Sequence, residues 1–357
     1  MTSVGTGLGP ADVLAAADRI AARVRRTPLL AVPSLPGILL KAEHLQHTGS
    51  FKLRGAANAM LGAGSAAGGV RNGVGVGGVR NGVGVGVGGI VTGSSGNHGI
   101  AVAGLSRSLG VGATVVMAAG ASEEKARLIR ALGARVVVVA GGVAEREQRA
   151  RELAATSGAL FVPSSDHELV VAGQGTVGLE VFADAPELAA IFVPVGGGGL
   201  LAGVCLAAQA LARPVRIIGV EPLDARRYFD SLAAGHPVQV PPTHTLADGL
   251  RGQSPGEVPL PIIRQRVDEL IGVGDEAIAH AMDLLHRAGV EAEPSGSVAL
   301  AGALACAGSW PPGVAGRAGP VAVVVSGGNT AAALAALAVL GHQTPPSQTD
   351  NHVDKEP

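Results

Sequence analysis

Lysine is scarce in this chain of 357 residues: it occurs only as Lys41, Lys52, Lys125 and Lys355. Any chemistry that requires an amine therefore has few places to reside. Lys52 stands in the run Thr48-Gly49-Ser50-Phe51-Lys52-Leu53-Arg54-Gly55. Ser50 is placed to cap a helix that runs to about Leu61, its hydroxyl accepting a backbone N–H of the first turn. Lys52 then lies in that first turn, where the positive end of the helix dipole and the neighbouring Arg54 both disfavour an ammonium. A neutral amine is the form that attacks a carbonyl carbon to make a Schiff base. Lys125 and Lys355 read as ordinary exposed lysines, and Lys41 lies in a strand without a glycine-rich context.

Three further runs could hold anions. Ser94-Ser95-Gly96-Asn97-His98-Gly99 follows a strand and opens a helix, so that free N–H groups, two hydroxyls, an amide and an imidazole suit a carboxylate. An ordinary βα turn explains the same run equally well. Gly196, Gly197, Gly198 and Gly199 sit between a buried strand and a helix, where backbone without Cβ atoms can wrap a phosphate. The same stretch fits a dinucleotide fingerprint through Gly197, Gly199 and Ala202, with Glu221 about 20 residues on. On that segment alone a nicotinamide-dependent oxidoreductase is credible. Ser326-Gly327-Gly328-Asn329 ends another buried strand, the place where open α/β sheets bind ligands, and Glu293-Pro294-Ser295-Gly296 is a polar turn before an Ala-rich helix.

These loops need strands that end beside helices, and the hydropathy pattern supplies them. Over residues 11–25, Val13, Leu14, Ala17, Ile20, Ala21 and Val24 fall on one helical face, and Thr27-Pro28 stops the helix. Strands are expected over 38–40, 89–92, 113–117 and 135–140, with helices over 98–109, 122–132 and 143–157. The helix at 122–132 has Ser122 as its cap, Glu123 and Glu124 in its first turn and Arg130 in its last, which matches the macrodipole. Further strands at 191–195, 215–220 and 321–325 are near-continuously apolar. Apolar strands alternating with helices mean parallel sheet covered on both faces, so the fold class is α/β.

Composition narrows the function. Lys+Arg is 27 and Asp+Glu is 28, a net charge of −1, which leaves no electrostatic footprint for nucleic acid. Cys205 and Cys306 are the only cysteines, which argues against a disulfide framework and suits a reducing compartment. No stretch offers the ~20 bulky apolar residues of a membrane span, and the first residues, MTSVGTGLGP, lack signal-peptide character. We expect a cytoplasmic protein. Aromatics are only 2%, so the core must be built from Ala, Val, Leu and Ile. Residues 68–76, GGVRNGVGV, recur unchanged at 77–85 and read as a flexible surface insertion.

Taken together, the chain resembles the fold-type II pyridoxal-phosphate enzymes, and within them the threonine/serine dehydratase family, near serine racemase. The resemblance rests on LLKAEHLQHTGSFKLRGAANAM, VTGSSGNHGIAVA, AGQGTVGLEV, PVGGGGLLAG, TLADGL, EPSGSVALAG and VSGGN, in that order, from about Thr27 to Asn329. It implies two open, mostly parallel twisted sheets with helices on both faces. A small domain would span 43–150, with the glycine-rich insertion at 62–89, and a large cofactor-binding domain 11–42 plus 151–340. Residues 341–357 would be a disordered tail.

The resemblance also implies roles. Lys52 would hold pyridoxal phosphate as a Schiff base, with Phe51 beside the ring and Asn97 on its 3′-oxygen. Gly196, Gly197, Gly198 and Gly199 would hold the phosphate, Ser326 would face the pyridine nitrogen, and Glu293 and Gly249 would lie close to the cofactor. Ser94, Ser95, Asn97 and His98 would bind the substrate carboxylate. Lys52 would take the α-proton, and Ser95 stands where racemases of this group place an acid/base on the opposite face. Some members bind a divalent cation beside the Glu-Pro after a strand; Glu221 matches, but Arg226 and Arg227 follow where a further acid could be expected. The implied reaction is dehydration and deamination of a hydroxy amino acid such as threonine or serine to a 2-oxo acid and ammonia. A racemase is the nearest alternative, and a silent amino-acid-binding protein stands further off. A homodimer is the expected assembly, with a small-molecule substrate and no nucleic-acid or membrane partner.

Overall fold

The computed structural model describes residues 7–65, 88–94, 96–306 and 319–331. The nonapeptide repeat, the tail and Ser95 lie outside the described residues. In chain order the first elements are α1 (Pro10–Ile20), β1 (Leu29–Ala31), β2 (Ile38–Ala42), α2 (Lys52–Ser65), β3 (Ile90–Gly93), α3 (Asn97–Leu109), β4 (Ala113–Ala118) and α4 (Glu123–Ala131). There follow β5 (Arg135–Val139), α5 (Val143–Ser157), β6 (Leu160–Phe161), α6 (Glu168–Asp184), β7 (Ala190–Pro194), α7 (Gly199–Ala208) and β8 (Arg216–Pro222). The chain continues through α8 (Arg227–Ala234), α9 (Pro259–Arg266), β9 (Glu269–Val273), α10 (Asp275–Arg287), α11 (Pro294–Cys306) and β10 (Val321–Val325).

The strands form two sheets, as an α/β chain of this pattern requires. The larger has six strands in the order β1-β2-β10-β7-β8-β9, and the smaller has four in the order β5-β4-β3-β6. Every pair is parallel except β1 with β2. The near-continuous apolar runs β7 and β10 are buried along their whole length at the centre of the larger sheet, as strands covered on both faces must be. The smaller sheet draws its last strand, β6, from beyond residue 150, so strand pairing carries that unit past the expected boundary, which falls inside α5. Among the described residues no helix is long and apolar enough to cross a membrane.

Two local expectations are corrected. Helix α1 ends at Ile20 instead of Arg25, and its buried face is Val13, Ala16 and Ile20, with Leu14 exposed. The chain turns at residues 21–23, which carries Val24 onto the core of the smaller sheet without further helix. Ser50 does not cap α2: its backbone bridges to Gly327 and its hydroxyl is buried with no hydrogen-bond partner among the described residues. By contrast Ser122 does cap α4, accepting the Lys125 N–H at 3.3 Å.

Helix α6 joins the two units, packing on α2 on one side and α7 on the other. Glycines make the approach possible. A Cβ on Gly203 would lie 2.4 Å from the Gly175 nitrogen and 2.5 Å from the Val171 oxygen, both backbone atoms that cannot swing aside. A buried ion cluster fixes the same region. Arg54 donates to Glu43 at 2.8 Å and to Glu180 at 2.7 Å, while Lys41 donates to Glu180 at 2.5 Å and to the Thr27 carbonyl at 2.6 Å. The start of α2 is thereby tied to β2 and to α6. Gly203→Ala should therefore cost ~1–3 kcal/mol or more of unfolding free energy through overpacking, seen as a lower urea midpoint. An unchanged midpoint would show that α6 and α7 can separate without cost.

Candidate active site

Main-chain contacts fasten the residues before α2 to the end of β10. Phe51 N donates to the Ser326 carbonyl at 3.1 Å and Gly328 N to the Gly49 carbonyl at 2.9 Å, flanking the Ser50–Gly327 bridge. Lys52 therefore emerges beside Ser326 whatever its own side chain does. Its Nζ donates to the Ser164 carbonyl at 2.8 Å and lies 5.1 Å from the Phe51 ring centre. Burial, and then the positive charge of Arg146, lower its pKa to about 8. Arg54 was expected to share in this, but its guanidinium is neutralised by Glu43 and Glu180. The cation that acts on Lys52 is Arg146 on α5, whose Nε is buried without a partner among the described residues.

His98 is 2% exposed, with Nε2 against the Val162 carbonyl at 3.1 Å. Burial and the Lys52 charge hold its pKa down to about 3, so the ring is neutral. With the proton assigned to Nε2 by that carbonyl, Nδ1 is an acceptor. Ser94 Oγ accepts from Gly96 N at 3.2 Å and Gly99 N at 3.0 Å. Two amides that the sequence offers to an anion are thus already capped by Ser94. Asn97 Nδ2 donates to Glu293 Oε1, and Asn97 Oδ1 accepts from Asn329 at 2.8 Å. These three side chains close around Gly327, where a Cβ would lie 2.4 Å from Glu293 Oε1.

Lys125, expected at the surface, is 6% exposed. Its Nζ reaches Asp248 at 2.7 Å and lies 3.7 Å from Glu293. It is a cross-sheet ion pair, and the two carboxylates raise its pKa against the opposing pull of burial. A polar chain continues from there: Ser295 Oγ donates to Asp248 at 3.3 Å and accepts from Gly249 N at 3.0 Å, and Ser326 Oγ donates to the Ser295 carbonyl at 3.3 Å. Contacts thus link Lys52, Phe51, Asn97, His98, Gly249, Glu293 and Ser326 into one neighbourhood where the two sheets meet, with Ser94 opening α3 beside Asn97.

The glycine loop is held from behind. Arg227 donates to the carbonyls of Gly196 at 3.0 Å and Val195 at 3.2 Å, and the Tyr228 hydroxyl donates to the Gly197 carbonyl at 2.9 Å. Peptides here are trans, so the N–H of each following residue points the opposite way to that carbonyl. The amides of Gly196, Gly197 and Gly198 are therefore turned away from Arg227 and Tyr228, and Gly199 adds an N–H at the start of α7. Among the described residues these amides donate to none of the recorded partners. The missing Cβ atoms serve the packing behind and beside the loop: at Gly198, where φ is +86°, a Cβ would lie 2.0 Å from the Tyr228 hydroxyl, and at Gly197 one would lie 2.1 Å from Ser165 Oγ. A loop with a row of outward amides fits a phosphate.

Glu221 has a different task from either expected. Fully buried, it accepts Tyr228 N at 3.0 Å and Phe229 N at 2.9 Å, capping α8. It cannot meet a ribose, which removes the basis of the dinucleotide reading. Nor do its surroundings fit a divalent cation: among the described residues no three His, Cys, Asp or Glu side chains converge as a metal site, and Arg227 lies alongside.

Several site residues escape the sequence reading. Ser164 and Ser165 come from the polar run PSSDH before α6, a local signal that went unused. Arg146 and Lys125 carry none, since each sits in an ordinary amphipathic helix and finds its site only through tertiary contact.

Comparison with known proteins agrees with this geometry. The family model for pyridoxal-phosphate dependent enzymes matches residues 20–318. The chain is 40% identical to the L-threonine ammonia-lyase of Geobacter sulfurreducens over 87% of its length and 73% of that protein's. It is 36% identical to the L-threo-3-hydroxyaspartate ammonia-lyase of Saccharomyces cerevisiae, covering 82% of this chain and 86% of the other. The structure of maize serine racemase superposes with a TM-score of 0.81 at 31% identity, over 94% of this chain and 98% of that one.

The pKa of Lys52 sets a pH test. Capture of pyridoxal phosphate by the apoprotein should speed up as pH rises through about 8 and then level off, because only the neutral amine reacts. Arg146→Met removes a neighbouring cation and should move that midpoint upward. Stopped-flow absorbance reads both, and a midpoint unmoved by the substitution would contradict the assignment.

Proposed function

This chain belongs to the family of pyridoxal-phosphate-dependent enzymes, and from that premise we propose that it converts a β-hydroxy amino acid to a 2-oxo acid and ammonia. The observation that carries the reading is the partly buried Lys52 amine, near the Arg146 cation and bound to the carbonyl of Ser164, whose neighbour Ser165 packs against the glycine loop. When bound, pyridoxal phosphate supplies an electron sink for the charge left at the α-carbon. Lys52 would hold the cofactor, and its Nζ, when not so engaged, would take the α-proton. The amides of Gly196, Gly197, Gly198 and Gly199 would hold the phosphate, and Phe51, Asn97, Gly249 and Glu293 would position the ring.

Ser326 would turn its hydroxyl from the Ser295 carbonyl that it meets here to the pyridine nitrogen. A hydroxyl, unlike a carboxylate, does not keep that nitrogen protonated, which weakens the sink and favours prompt loss of the β-hydroxyl over lasting charge storage. Ser94, Asn97 and His98, with Ser95 of the same sequence run, would bind the substrate carboxylate, and Arg146 would supply positive charge toward it. His98 enters neutral, so it does not compete for the proton. The product loses ammonia in water. The two cysteines are free, which suits the cytoplasm that we assign to it.

A second reading, racemisation, is favoured by the likeness to serine racemase and by the serine at sequence position 95, where racemases of this group have an acid/base. One panel separates them. With L-threonine, L-serine and L-threo-3-hydroxyaspartate, the holoenzyme should release 2-oxo acid and ammonia in equal amounts, and Lys52→Ala should reduce this by at least ~10²–10⁴-fold. Accumulation of the D-isomer with no 2-oxo acid would replace the lyase by a racemase.

A further inference from the structure

Arg227 is fully buried, and its guanidinium donates only to backbone carbonyls. Nη1 reaches Ala225 at 2.7 Å, Nε reaches Gly196 at 3.0 Å, and Nη2 reaches Leu250 at 3.0 Å and Val195 at 3.2 Å. The carboxylate whose charge favours this cation, Glu221, makes no ion pair with it, because both oxygens accept amides of α8. Four carbonyl oxygens with a carboxylate close by are the donor set of a hard metal ion. Here an arginine, which cannot lose its proton in a protein, fills their centre.

We propose that Arg227 is a resident cation that gathers these oxygens in place of a metal and so sets the glycine loop for its phosphate. The loop peptides of Val195 and Gly196 point their carbonyls at the guanidinium, which turns the N–H groups of Gly196 and Gly197 outward. Residues 225 and 250 are drawn to the same charge, so three separate segments are fixed at one point. Leu250 adjoins Gly249 on the cofactor side. Arg227 is a positioning residue, since it touches the loop and not the phosphate. The misfit of a divalent cation at Glu221 follows directly, and phosphate binding is independent of metal.

The inference rests on the glycine loop as the phosphate cradle, and the test separates the two. Binding of inorganic phosphate to the apoprotein is measured by calorimetry in EDTA, in magnesium and in calcium, alongside thermal melting. The wild-type protein is expected to bind phosphate equally in all three. Arg227→Met should weaken binding at least tenfold, and Arg227→Lys, which keeps the charge but makes fewer of the four bonds, by a smaller factor with a native far-UV spectrum. Arg227→Asp adds a carboxylate to the vacated oxygen cluster and should regain affinity and melting temperature with magnesium or calcium but not with EDTA. A divalent cation that tightens phosphate binding to the wild type would overturn the proposal, as would a folded Met or Lys variant with unchanged affinity. So would a folded Asp variant that no cation restores. If the wild type binds no phosphate, the cradle reading itself fails.

Discussion

An amine withdrawn from water without a carboxylate beside it is the condition on which the remaining structure depends. The three described lysines are all buried at least in part, and the comparison between them is instructive. Lys41 has Glu180, and Lys125 has Asp248 with Glu293 beyond. Lys52 has a carbonyl and, at longer range, the cation Arg146. Desolvation of an ammonium is costly unless an opposite charge repays it. At two of the sites the repayment exists, and the amine serves as an ion-pair partner. At the third it does not, and the amine gives up its proton more readily, with its pKa lowered to about 8.

The surrounding elements keep that amine where its lack of a partner is useful. The Arg54–Glu43–Glu180–Lys41 cluster closes its own charges internally and anchors α2 without lending a carboxylate to Lys52. The Ser50–Gly327 bridge brings the end of β10 alongside, so Ser326 lies against the Phe51 backbone, one residue from Lys52, through main chain rather than through side-chain choice. Lys125 binds α4, from the smaller sheet, to Asp248 and the Glu293 turn of the larger unit. The cleft is thus spanned by a charged contact as well as by covalent connections.

What was legible from the amino-acid order follows from how local each signal is. The apolar runs at Ala190–Pro194 and Val321–Val325 are short, rich in β-branched side chains and followed by glycine-rich turns, which marks them as buried strands. The glycine loop and the lysine turn announce themselves by type and spacing within a few residues. Arg146 and Lys125 did not, because a charged residue on an amphipathic helix has the same neighbours in sequence whether it faces solvent or a cleft. Lys125 and Asp248 are 123 residues apart. Ser50 misled for the opposite reason: a serine two residues before a helix has the local form of a cap, but pairing with Gly327 fixes its backbone differently.

We propose that Lys52 carries the cofactor and that the other lysines do not. Borohydride reduction of the holoprotein, digestion and mapping by mass spectrometry should place a phosphopyridoxyl group on the peptide containing Lys52 and on no other. A label on Lys41 or Lys125, or none in a protein that still turns over substrate, would contradict it.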